Sequence, residues 1–473
     1  MDPLDLPLDC LISIFSYLHE EDLVTASHVS KAWHEAAETP WLWRKKCLQR
    51  WGFCNIANFL SDIDKQSWKS YYLRRALLEI GMKAGRSGGD YICQSLRGHN
   101  GKIIGVVYLA GINPISEFWS QSSVVCSAST DGTVRAWDVQ KATQLWSSPE
   151  QRQLCDIVAD LQNNIVVTVD DTGTVKAWEG PTGGEVASYS TGSTKNTLYA
   201  CSINDKPVII VGSNNGALHT LTSPSLSKLS SHVVFDSFRL DLILSSPDKK
   251  WILTASKDCS EYSPKVFFSP SLCSGPEGEG PVSVSLPMSV RSVYSAAFLP
   301  SPSPRVAVIH SSDLSQKKNL SIFDISMAKT RYDDPAPAAQ QTESSELDLP
   351  STNVLLQARD SNTLVVAAGH QLSVYSVKGA LLQRMVDHTG PVTSICVDNF
   401  RVVTASLDLS LRVLTWNHEN EKELSLDSQY HLLGGSHTMS RGFTVVACDY
   451  ISIVGSVASV NGNDVLKAYS FNT

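Results

Sequence analysis

Two groups of residues in this sequence have the types that nucleophilic catalysis uses. His99, Ser127 and Asp131 fall within one stretch of alternating apolar and polar residues, and His388 and Asp408 form a similar pair later in the chain. A Ser–His–Asp set can activate a hydroxyl for acyl transfer, but the same residue types also form buried hydrogen-bond networks that only stabilise a fold. The segments that position these residues therefore decide which role they have.

The rest of the sequence offers no other catalytic pattern. It has no glycine-rich phosphate loop after a strand, and the paired acids Asp170-Asp171 fall in a predicted turn, where exposure to solvent explains them. The 11 cysteines form no CxxC pair and no cluster with histidine at metal-ligand spacing. We therefore predict a protein that is not an enzyme, with no catalytic residues, no cofactor and no metal.

Length and composition predict an ordinary folded protein. The chain has 473 residues, of which 42% are hydrophobic, which suits two or three domains. Its net charge of -8 argues against broad binding to nucleic acid or to an anionic membrane. No apolar run approaches the roughly twenty residues that cross a bilayer, and the acidic start does not resemble a signal peptide. We expect an intracellular protein, in the cytoplasm, the nucleus or both.

Residues 1–50 predict a small helical unit with more apolar side chains than it can bury. Pro7 suits a first helical turn, Glu20 to Asp22 suit the positive end of a second helix, and Ser30 can cap a third. A fourth segment runs from Pro40 to Arg50. The apolar positions of these helices are Leu8, Leu11, Ile12, Ile14, Phe15, Leu18, Leu23, Ala26, Val29, Trp33, Ala37, Leu42, Trp43 and Trp51. So short a unit buries little surface alone, which implies that another chain covers part of this face.

Three motifs between Leu6 and Cys47 carry a resemblance. They are Leu-Pro-x-Asp-x-Leu-x-x-Ile-Phe-x-Tyr-Leu, Asp-Leu-x-x-x-Ser-x-Val-Ser-Lys-x-Trp and Leu-Trp-Arg-Lys-Lys-Cys, in that order. Together they resemble an F-box over its usual length. The resemblance implies that an apolar face binds the Skp adaptor of a cullin-RING ubiquitin ligase; the face would comprise Leu6, Pro7, Leu11, Ile14, Phe15, Leu18 and Trp33, with Leu42 and Trp43 nearby. The alternative is that several of these residues form the core of the unit itself.

Residues 51–90 predict a helical linker. The segment from Gln66 to Leu78 has helical spacing in its large residues, and it is followed by a glycine-rich run from Gly81 to Gly89. Similar Trp-Lys-x-x-Tyr segments precede the propeller in F-box proteins with WD repeats. The glycine-rich run is the expected boundary of the next domain.

Residues 91–473 predict a repeated pattern of short strands and turns. The clearest unit begins at Leu96-Arg97-Gly98-His99 and ends at Trp137-Asp138, and a second runs from His388 to Trp416. Both resemble WD repeats. The resemblance implies a structural hydrogen-bond chain in each unit, and the hydrolase interpretation is set aside accordingly. The chain would join His99, Asp131 and Trp137 through Ser127 or Ser129 in one unit, and it would involve His388, Asp408 and Trp416 in the other.

Six weaker units follow the same order of strand, turn and strand, and they bring the number of repeats to eight. Their turn residues and the large residues that close their third strands are Asp171 with Trp178, Asn215 with Leu221, Asp258 with Phe268, Asp313 with Phe323, Gly369 with Tyr375, and Asn463 with Tyr469. Eight units of about 48 residues fit a WD period better than seven of about 55. We predict an all-β propeller with eight blades rather than seven, and with mobile insertions near residues 270–281 and 330–350. The segment from Tyr91 to Leu96 should complete the final blade and close the ring.

Basic residues recur just before the predicted innermost strands. They are Lys102, Arg152, Lys195, Arg239, Arg291 and Arg441, at six of eight aligned positions, whereas Asn353 and Pro391 stand at the other two. Converging cations suit phosphate or clustered carboxylates. We therefore expect this basic collar to bind an acidic or phosphorylated degron; alternatively, the pattern reflects freedom to shift each alignment by a residue or two.

The combined resemblance implies the substrate-recognition subunit of an SCF-type ubiquitin ligase. The F-box would bind the Skp adaptor, and through it the cullin and RING protein, while the propeller would hold a protein substrate close to the ubiquitin-charged enzyme. The alternative is a scaffold that binds the Skp adaptor without ubiquitin transfer. The identity of the substrate is not encoded in any recognisable motif.

Overall fold

The computed structural model describes residues 6–51, 68–109, 123–257, 259–273, 280–287, 289–290, 292–311, 317–328, 335–350, 353–417, 424–435 and 439–471. The chain divides into two compact units, Met1–Tyr91 with Phe471–Thr473, and Ile92–Ser470. Helices form the first unit and strands the second. Within the ranges given, no helix combines the length and the apolar character that crossing a bilayer requires.

Short helices with simple terminal signals build the first unit. They are α1 (Leu8–Phe15), α2 (Glu20–Ala26), α3 (Lys31–Ala37), α4 (Pro40–Trp51) and α5 (Trp68–Ala84). Three acidic residues occupy the first turn of α2, where the helix dipole favours negative charge. Ser30 caps α3, since its hydroxyl accepts a hydrogen bond from the Trp33 amide. These elements lie where the sequence predicts them.

Helix α5 packs against the preceding helices through a charged cluster. Arg50 contacts Glu20 at 2.9 Å and the buried Glu79 at 3.1 Å, and it also donates to the Tyr72 hydroxyl at 2.9 Å. The Tyr72 ring lies 5.4 Å from that of Trp43. Burial raises the pKa of Tyr72 to about 12. The predicted linker helix is therefore an integral part of the helical unit.

Eight four-stranded antiparallel sheets form the second unit, which confirms eight blades over seven. The strands of blades one to four, after the outer strand β1 (Tyr91–Leu96), are β2 (Ile103–Leu109), β3 (Val124–Ser129), β4 (Val134–Asp138), β5 (Thr143–Ser147), β6 (Leu154–Asp160), β7 (Ile165–Asp170), β8 (Thr174–Glu179), β9 (Glu185–Ser190), β10 (Thr197–Ile203), β11 (Lys206–Gly212), β12 (Ala217–Thr222), β13 (Lys228–Val233), β14 (Leu242–Ser245), β15 (Trp251–Ala255), β16 (Lys265–Phe268) and β17 (Ser283–Ser285).

The remaining strands complete the ring. They are β18 (Val293–Phe298), β19 (Arg305–Ser311), β20 (Lys318–Ala328), β21 (Ala336–Leu347), β22 (Val354–Ala358), β23 (Thr363–Ala368), β24 (Gln371–Ser376), β25 (Leu381–Met385), β26 (Val392–Val397), β27 (Arg401–Ser406), β28 (Ser410–Asn417), β29 (Ser425–Leu433), β30 (Ser440–Cys448), β31 (Ser452–Ser459) and β32 (Val465–Phe471). The eighth blade has the order β1-β32-β31-β30, so β1 supplies its outer strand as predicted.

The first strands of neighbouring blades contact each other in succession around the ring, and β30 contacts β2. Because each blade has four antiparallel strands, the chain leaves each blade at the end of the channel where the next first strand begins. All eight first strands therefore begin at one mouth of the channel. We call the rim around these beginnings the first-strand mouth.

Burial falls from the middle of each blade to its outer edge. Every residue of β3 and of β7 is buried, whereas β9 is largely exposed. Between blades one and two, Cys126 and Ala136 pack with Val166 and Trp178. A central strand faces neighbours on both sides and is therefore buried and mostly apolar, whereas an outer strand can carry exposed polar residues.

The exposure of outer strands explains why the prediction for residues 330–350 is wrong. The polar stretch in residues 330–350 was expected to be a mobile loop, but Ala336–Leu347 is the outer strand of blade five and pairs with Lys318–Ala328. Its side chains are mostly exposed or half-buried, so few apolar residues are needed there. In the other predicted insertion, Ser269–Leu272 forms a turn of 3₁₀-helix, while residues 274–279 lie outside the described ranges.

Candidate adaptor face and propeller mouth

Four of the nine predicted adaptor-binding residues lie in the core of the helical unit. Leu11 and Phe15 are each 1% exposed, and Leu42 and Trp43 have no exposed surface. The Trp43 indole also donates to the Ala37 carbonyl at 2.6 Å. The prediction that these four contribute to an exposed face is therefore wrong, because so small a unit needs its largest inward side chains for its own core.

The other five residues remain at or near the surface. Ile14 is 49% exposed and Pro7 is exposed, whereas Leu6, Leu18 and Trp33 are half-buried. The Trp33 ring packs edge-on against Phe15 at 5.3 Å. Pro7 and Ile14 are therefore accessible to a partner, whereas Trp33 is only partly so.

Sequence reasoning missed two exposed aromatic residues of this unit. Tyr17 is 84% exposed and Trp41 is 53% exposed, although aromatic rings usually contribute to a core. The Lys45 ammonium lies 5.7 Å from the centre of the Tyr17 ring and 5.4 Å from that of Trp41. Val29, one of the apolar positions of these helices, is also 53% exposed. Spacing alone could not show which apolar residues of this unit are exposed, because such residues occur on more than one side of these short helices.

The predicted hydrogen-bond chain is present in blade one. His99 contacts Asp131 Oδ2 through Nδ1 at 3.0 Å and Ser127 Oγ through Nε2 at 2.8 Å. The Trp137 indole donates to the same Ser127 oxygen at 2.9 Å. Hydrogen bonds to Asp131 hold the pKa of its carboxyl well below the usual range, although burial acts in the opposite direction. Ser127 has no exposed surface, so this set has the geometry of a structural network and no access for a substrate.

Blade seven contains a shorter version of the chain. His388 contacts Asp408 Oδ2 at 2.8 Å and Thr404 Oγ1 at 2.7 Å. Trp416 does not join it, contrary to the prediction, because its indole donates to the Asp398 carbonyl at 3.0 Å. Its ring instead lies 4.5 Å from the guanidinium of Arg359.

The six basic residues of the predicted collar are not at equivalent positions. In five blades, one backbone carbonyl before the first strand accepts a hydrogen bond from an amide at the end of the second strand or in the turn that follows it. The residues that provide this carbonyl are Lys102, Gln153, Ser292, Pro391 and Met439, of which Lys102 alone is basic. The regular collar is therefore wrong as an alignment, since Arg152 precedes this position by one residue and Arg441 follows it by two.

Arg441 occupies a β-bulge. Ser440 pairs with Ser459 and Gly442 pairs with Ala458, so that Arg441 is the extra residue between them. The same bulge contains Ile104 in blade one and Cys155 in blade two. Bulges redirect the side chain of the extra residue, and Arg441 is exposed here.

The predicted cations differ in their surroundings. Lys102, Arg152, Lys195 and Arg441 are exposed, and no carboxylate within the described ranges forms an ion pair with them. Arg239 is half-buried and contacts Asp241 at 3.2 Å. Arg291 lies outside the described residues. Four unpaired cations therefore remain near the first-strand mouth, at irregular positions.

Acidic residues lie at the same mouth beside Arg152, since the Asp171 amide donates to the carbonyl of Gln153, the next residue along the chain. Burial raises the pKa of Asp156 to about 6, although its carboxylate accepts hydrogen bonds from the amides of Leu198 and Ile157, each at 2.8 Å. Asp170 and Asp171 follow at the end of the neighbouring strand. Within the described part of the chain, no group of three potential ligands is arranged to hold a metal ion.

Comparisons with known proteins agree with both units. Residues 3–49 match the F-box-like family, and residues 91–138 match the WD domain, G-beta repeat family. F-box/WD repeat-containing protein 12 from Homo sapiens is 30% identical over 479 residues, covering 99% of each chain. F-box/WD repeat-containing protein 15 from Mus musculus is 27% identical over 471 residues, covering 99% of this chain and 98% of the relative.

A solved structure supports the fold alone. The computationally designed Ika8 protein matches with a TM-score of 0.55 and 17% identity, covering 80% of this chain and 98% of its own. The two family matches occur in the order that the helical unit and the first blade have in the chain. With the match over the full length of the human relative, they show that this chain belongs to the family of F-box/WD repeat-containing proteins.

Proposed function

We propose that this chain is the substrate-recognition subunit of an SCF-type ubiquitin ligase, acting in the cytoplasm or nucleus. The helical unit binds the Skp adaptor, which connects it to the cullin and RING protein, and the propeller binds a protein substrate. The chain itself contributes no catalytic group. The observation that carries this proposal is the pairing of an F-box that leaves apolar side chains exposed with a closed eight-bladed propeller.

The adaptor-binding face that we propose differs from the one predicted from spacing. It centres on Pro7 and Ile14, with Leu6, Leu18 and Trp33 at its base, and it excludes the four core residues. Exposed apolar side chains of this size are the usual anchors of a protein interface. Tyr17 and Trp41 add aromatic surface on the same unit.

The substrate that we propose is acidic or phosphorylated. Lys102, Arg152, Lys195 and Arg441 are exposed near one mouth of the channel, and Arg291 stays a prediction. A carboxylate or phosphate group can accept charge-assisted hydrogen bonds from more than one of them. The chain would then contribute by raising the local concentration of the substrate beside the ubiquitin-charged enzyme.

The experiment is a pull-down of the tagged chain from cells with the proteasome blocked. We expect the wild type to recover the Skp adaptor, the cullin and ubiquitylated proteins. The variant Ile14→Lys should lose the adaptor by at least about tenfold, because a charge replaces an apolar anchor. Leu77→Lys is the matched control, since Leu77 is 63% exposed on α5 and lies outside the proposed face.

Two results would contradict the proposal. Recovery of the adaptor without the cullin would favour a scaffold that does not transfer ubiquitin. Equal recovery of the adaptor by the wild type and by Ile14→Lys would show that this face is not the binding surface.

A further inference from the structure

Two half-buried cysteines lie at the same end of neighbouring first strands. Cys396 is near the end of β26 in blade seven, and Cys448 is the last residue of β30 in blade eight. The two strands contact each other, and the Thr393 hydroxyl donates to the Phe443 carbonyl at 2.7 Å. Because both strands begin at the first-strand mouth, the cysteines lie toward the opposite end of the channel. They belong to different repeats, so their spacing in the sequence does not indicate a pair.

Equivalent turns follow the two strands. Asp398 accepts hydrogen bonds from the amides two and three residues further on, at 2.8 and 2.6 Å. Asp449 does the same at 2.9 and 2.7 Å. An aspartate that accepts from its own backbone in this way fixes a tight turn. The backbone that follows each cysteine is therefore held in one conformation.

A buried arginine connects the two turns. Arg401 is 1% exposed, its Nε donates to the Asp398 carboxylate at 3.2 Å, and its Nη2 donates to the Asp449 carbonyl of blade eight. Asp398 lies two residues after Cys396, and Asp449 directly follows Cys448. The same guanidinium therefore holds the ends of both strands together and places a positive charge beside both sulfurs.

The two thiols share a hydrogen bond. The Cys448 side chain and the Cys448 backbone amide both donate to the Cys396 sulfur. The side-chain hydrogen bond lowers the pKa of the Cys396 thiol, and the Arg401 guanidinium acts in the same direction, whereas burial opposes both. The same hydrogen bond raises the pKa of the Cys448 thiol. Cys396 is therefore the member of the pair that supplies a thiolate.

Cys155 shows what exposure alone provides. It lies in the bulge of blade two and is exposed, but burial, together with the carboxylates of Asp171 and Asp170, raises the pKa of its thiol. The thiolate, rather than the thiol, reacts with oxidants. Accessibility therefore favours reaction at Cys155, whereas thiolate character favours reaction at Cys396.

We propose that Cys396 and Cys448 form a site of reversible oxidation, at which a peroxide converts the two thiols to a disulfide between blades seven and eight. The Cys396 thiolate attacks one peroxide oxygen, so that an S–O bond forms, the O–O bond breaks and hydroxide leaves. The Cys448 sulfur then attacks the Cys396 sulfur. The S–S bond forms, the S–O bond breaks, and the departing hydroxide takes the Cys448 proton as water.

The reaction balances with hydrogen peroxide as the oxidant. Each sulfur gives up one electron, and the peroxide accepts both. Two thiols and one hydrogen peroxide thus give one disulfide and two waters. A disulfide brings its sulfurs to about 2.0 Å, so two thiols that already share a hydrogen bond need only a small movement to form it.

The disulfide links the first strands of the last two blades. Blade eight contains both ends of the propeller chain, because β1 is its outer strand and β30 its inner one. A covalent bond between β26 and β30 keeps the inner strand attached to blade seven when the outer strands separate. Oxidation should therefore slow hydrogen exchange of the β30 amides.

The test treats the reduced full-length chain with hydrogen peroxide and maps its peptides under non-reducing conditions. Trypsin places each cysteine in a peptide with no other cysteine, residues 385–401 and residues 442–467. We expect these two peptides to be linked within single chains, at least about tenfold more than any other pair of cysteine peptides, because hydrogen-bonded thiols have a high effective concentration. Dithiothreitol added afterwards should restore both thiols.

Three variants assign the roles of the two sulfurs. Cys448→Ser should lose the link and leave Cys396 as a sulfenic acid, which dimedone labels. Cys396→Ser should lose the link, and Cys448 should take up dimedone at least about tenfold less, because its thiol keeps its proton. Cys155→Ser is the matched control and should form the link as the wild type does. Circular dichroism checks that each variant is folded.

Three outcomes would overturn the inference. If both cysteines stay reduced while peroxide oxidises Cys155, accessibility alone decides the reaction. If Cys396 or Cys448 links mainly to other cysteines, or to another chain, the pair is not arranged for a disulfide. Conversion of Cys396 to a sulfinic acid without a link in the wild type would mean that Cys448 does not reach it.

Discussion

The first and seventh blades contain the same three-group network and differ in the position of one tryptophan. In both, a histidine connects a turn aspartate to a hydroxyl on the second strand at distances of 2.7 to 3.0 Å. In blade one, Trp137 adds a fourth group by donating to Ser127. In blade seven, Leu414 has the corresponding position and is buried, and Trp416 lies two residues further along the strand.

This difference shows which groups are sufficient to fix the turn of a blade. Residues two apart in a strand share a face but are separated by about 7 Å, so the indole of Trp416 does not reach Thr404. The histidine, aspartate and hydroxyl nevertheless keep their geometry in blade seven. The three-group chain is therefore sufficient to fix the turn, and the tryptophan is an addition to it.

The largest expected effect comes from removing the turn aspartates. Asp131→Ala and Asp408→Ala should each lower the local unfolding free energy of their blade by about 3 kcal/mol, because each leaves a buried histidine and backbone amides without an acceptor. Hydrogen exchange of the amides in each blade measures this. The exposed Asp236, changed to alanine, is the control. A cost below about 0.5 kcal/mol in both blades would show that the network does not stabilise them.

A smaller effect on turn stability distinguishes Trp137 from Trp416. Trp137→Phe should lower the stability of the His99 turn by about 1 kcal/mol, since the Ser127 oxygen loses one donor. Trp416→Phe should leave exchange at the Asp408 turn unchanged within about 0.5 kcal/mol, because its indole is bonded to the Asp398 carbonyl instead. Equal effects at both turns would mean that Trp416 is coupled to the His388 network.

The smallest effect concerns pH in blade seven. Burial lowers the pKa of His388, although Asp408 acts in the opposite direction. Below the ordinary histidine pKa of about 6.5, the unfolded blade binds a proton that the folded blade resists, so stability should fall by up to about 1 kcal/mol between pH 7 and pH 5.5.

His388→Gln removes this titration, and hydrogen exchange at the two pH values compares it with the wild type. An unchanged slope in the variant would assign the effect to another group. The lowered pKa of Asp408 adds a separate loss of stability only below about pH 4, where an ordinary aspartate takes up its proton.

Periodicity and turn residues were enough to predict the helices, the eight blades and the closure by β1, because these depend on patterns within short segments. They could not separate core from surface in the helical unit, where Leu11 and Ile14 differ by less than one turn and yet are 1% and 49% exposed. They also failed for Ala336–Leu347, since an outer strand obtains its stability from pairing with β20 and needs few apolar residues. The collar failed because irregularities such as the bulge at Arg441 displace its members by one or two residues from the position of Lys102.

The strand order of blade eight has a consequence for synthesis of the protein. Strand β1 is made before any other strand, but its partner β32 ends at Phe471, so blade eight cannot form until nearly the whole propeller has left the ribosome. Until then β1 is without its partner, and the ring has an open edge that could pair with other chains. A chain that stops before Val465 would therefore contain seven complete blades and only β30 and β31 of the eighth, so that β31 and β1 would each lack their partner β32.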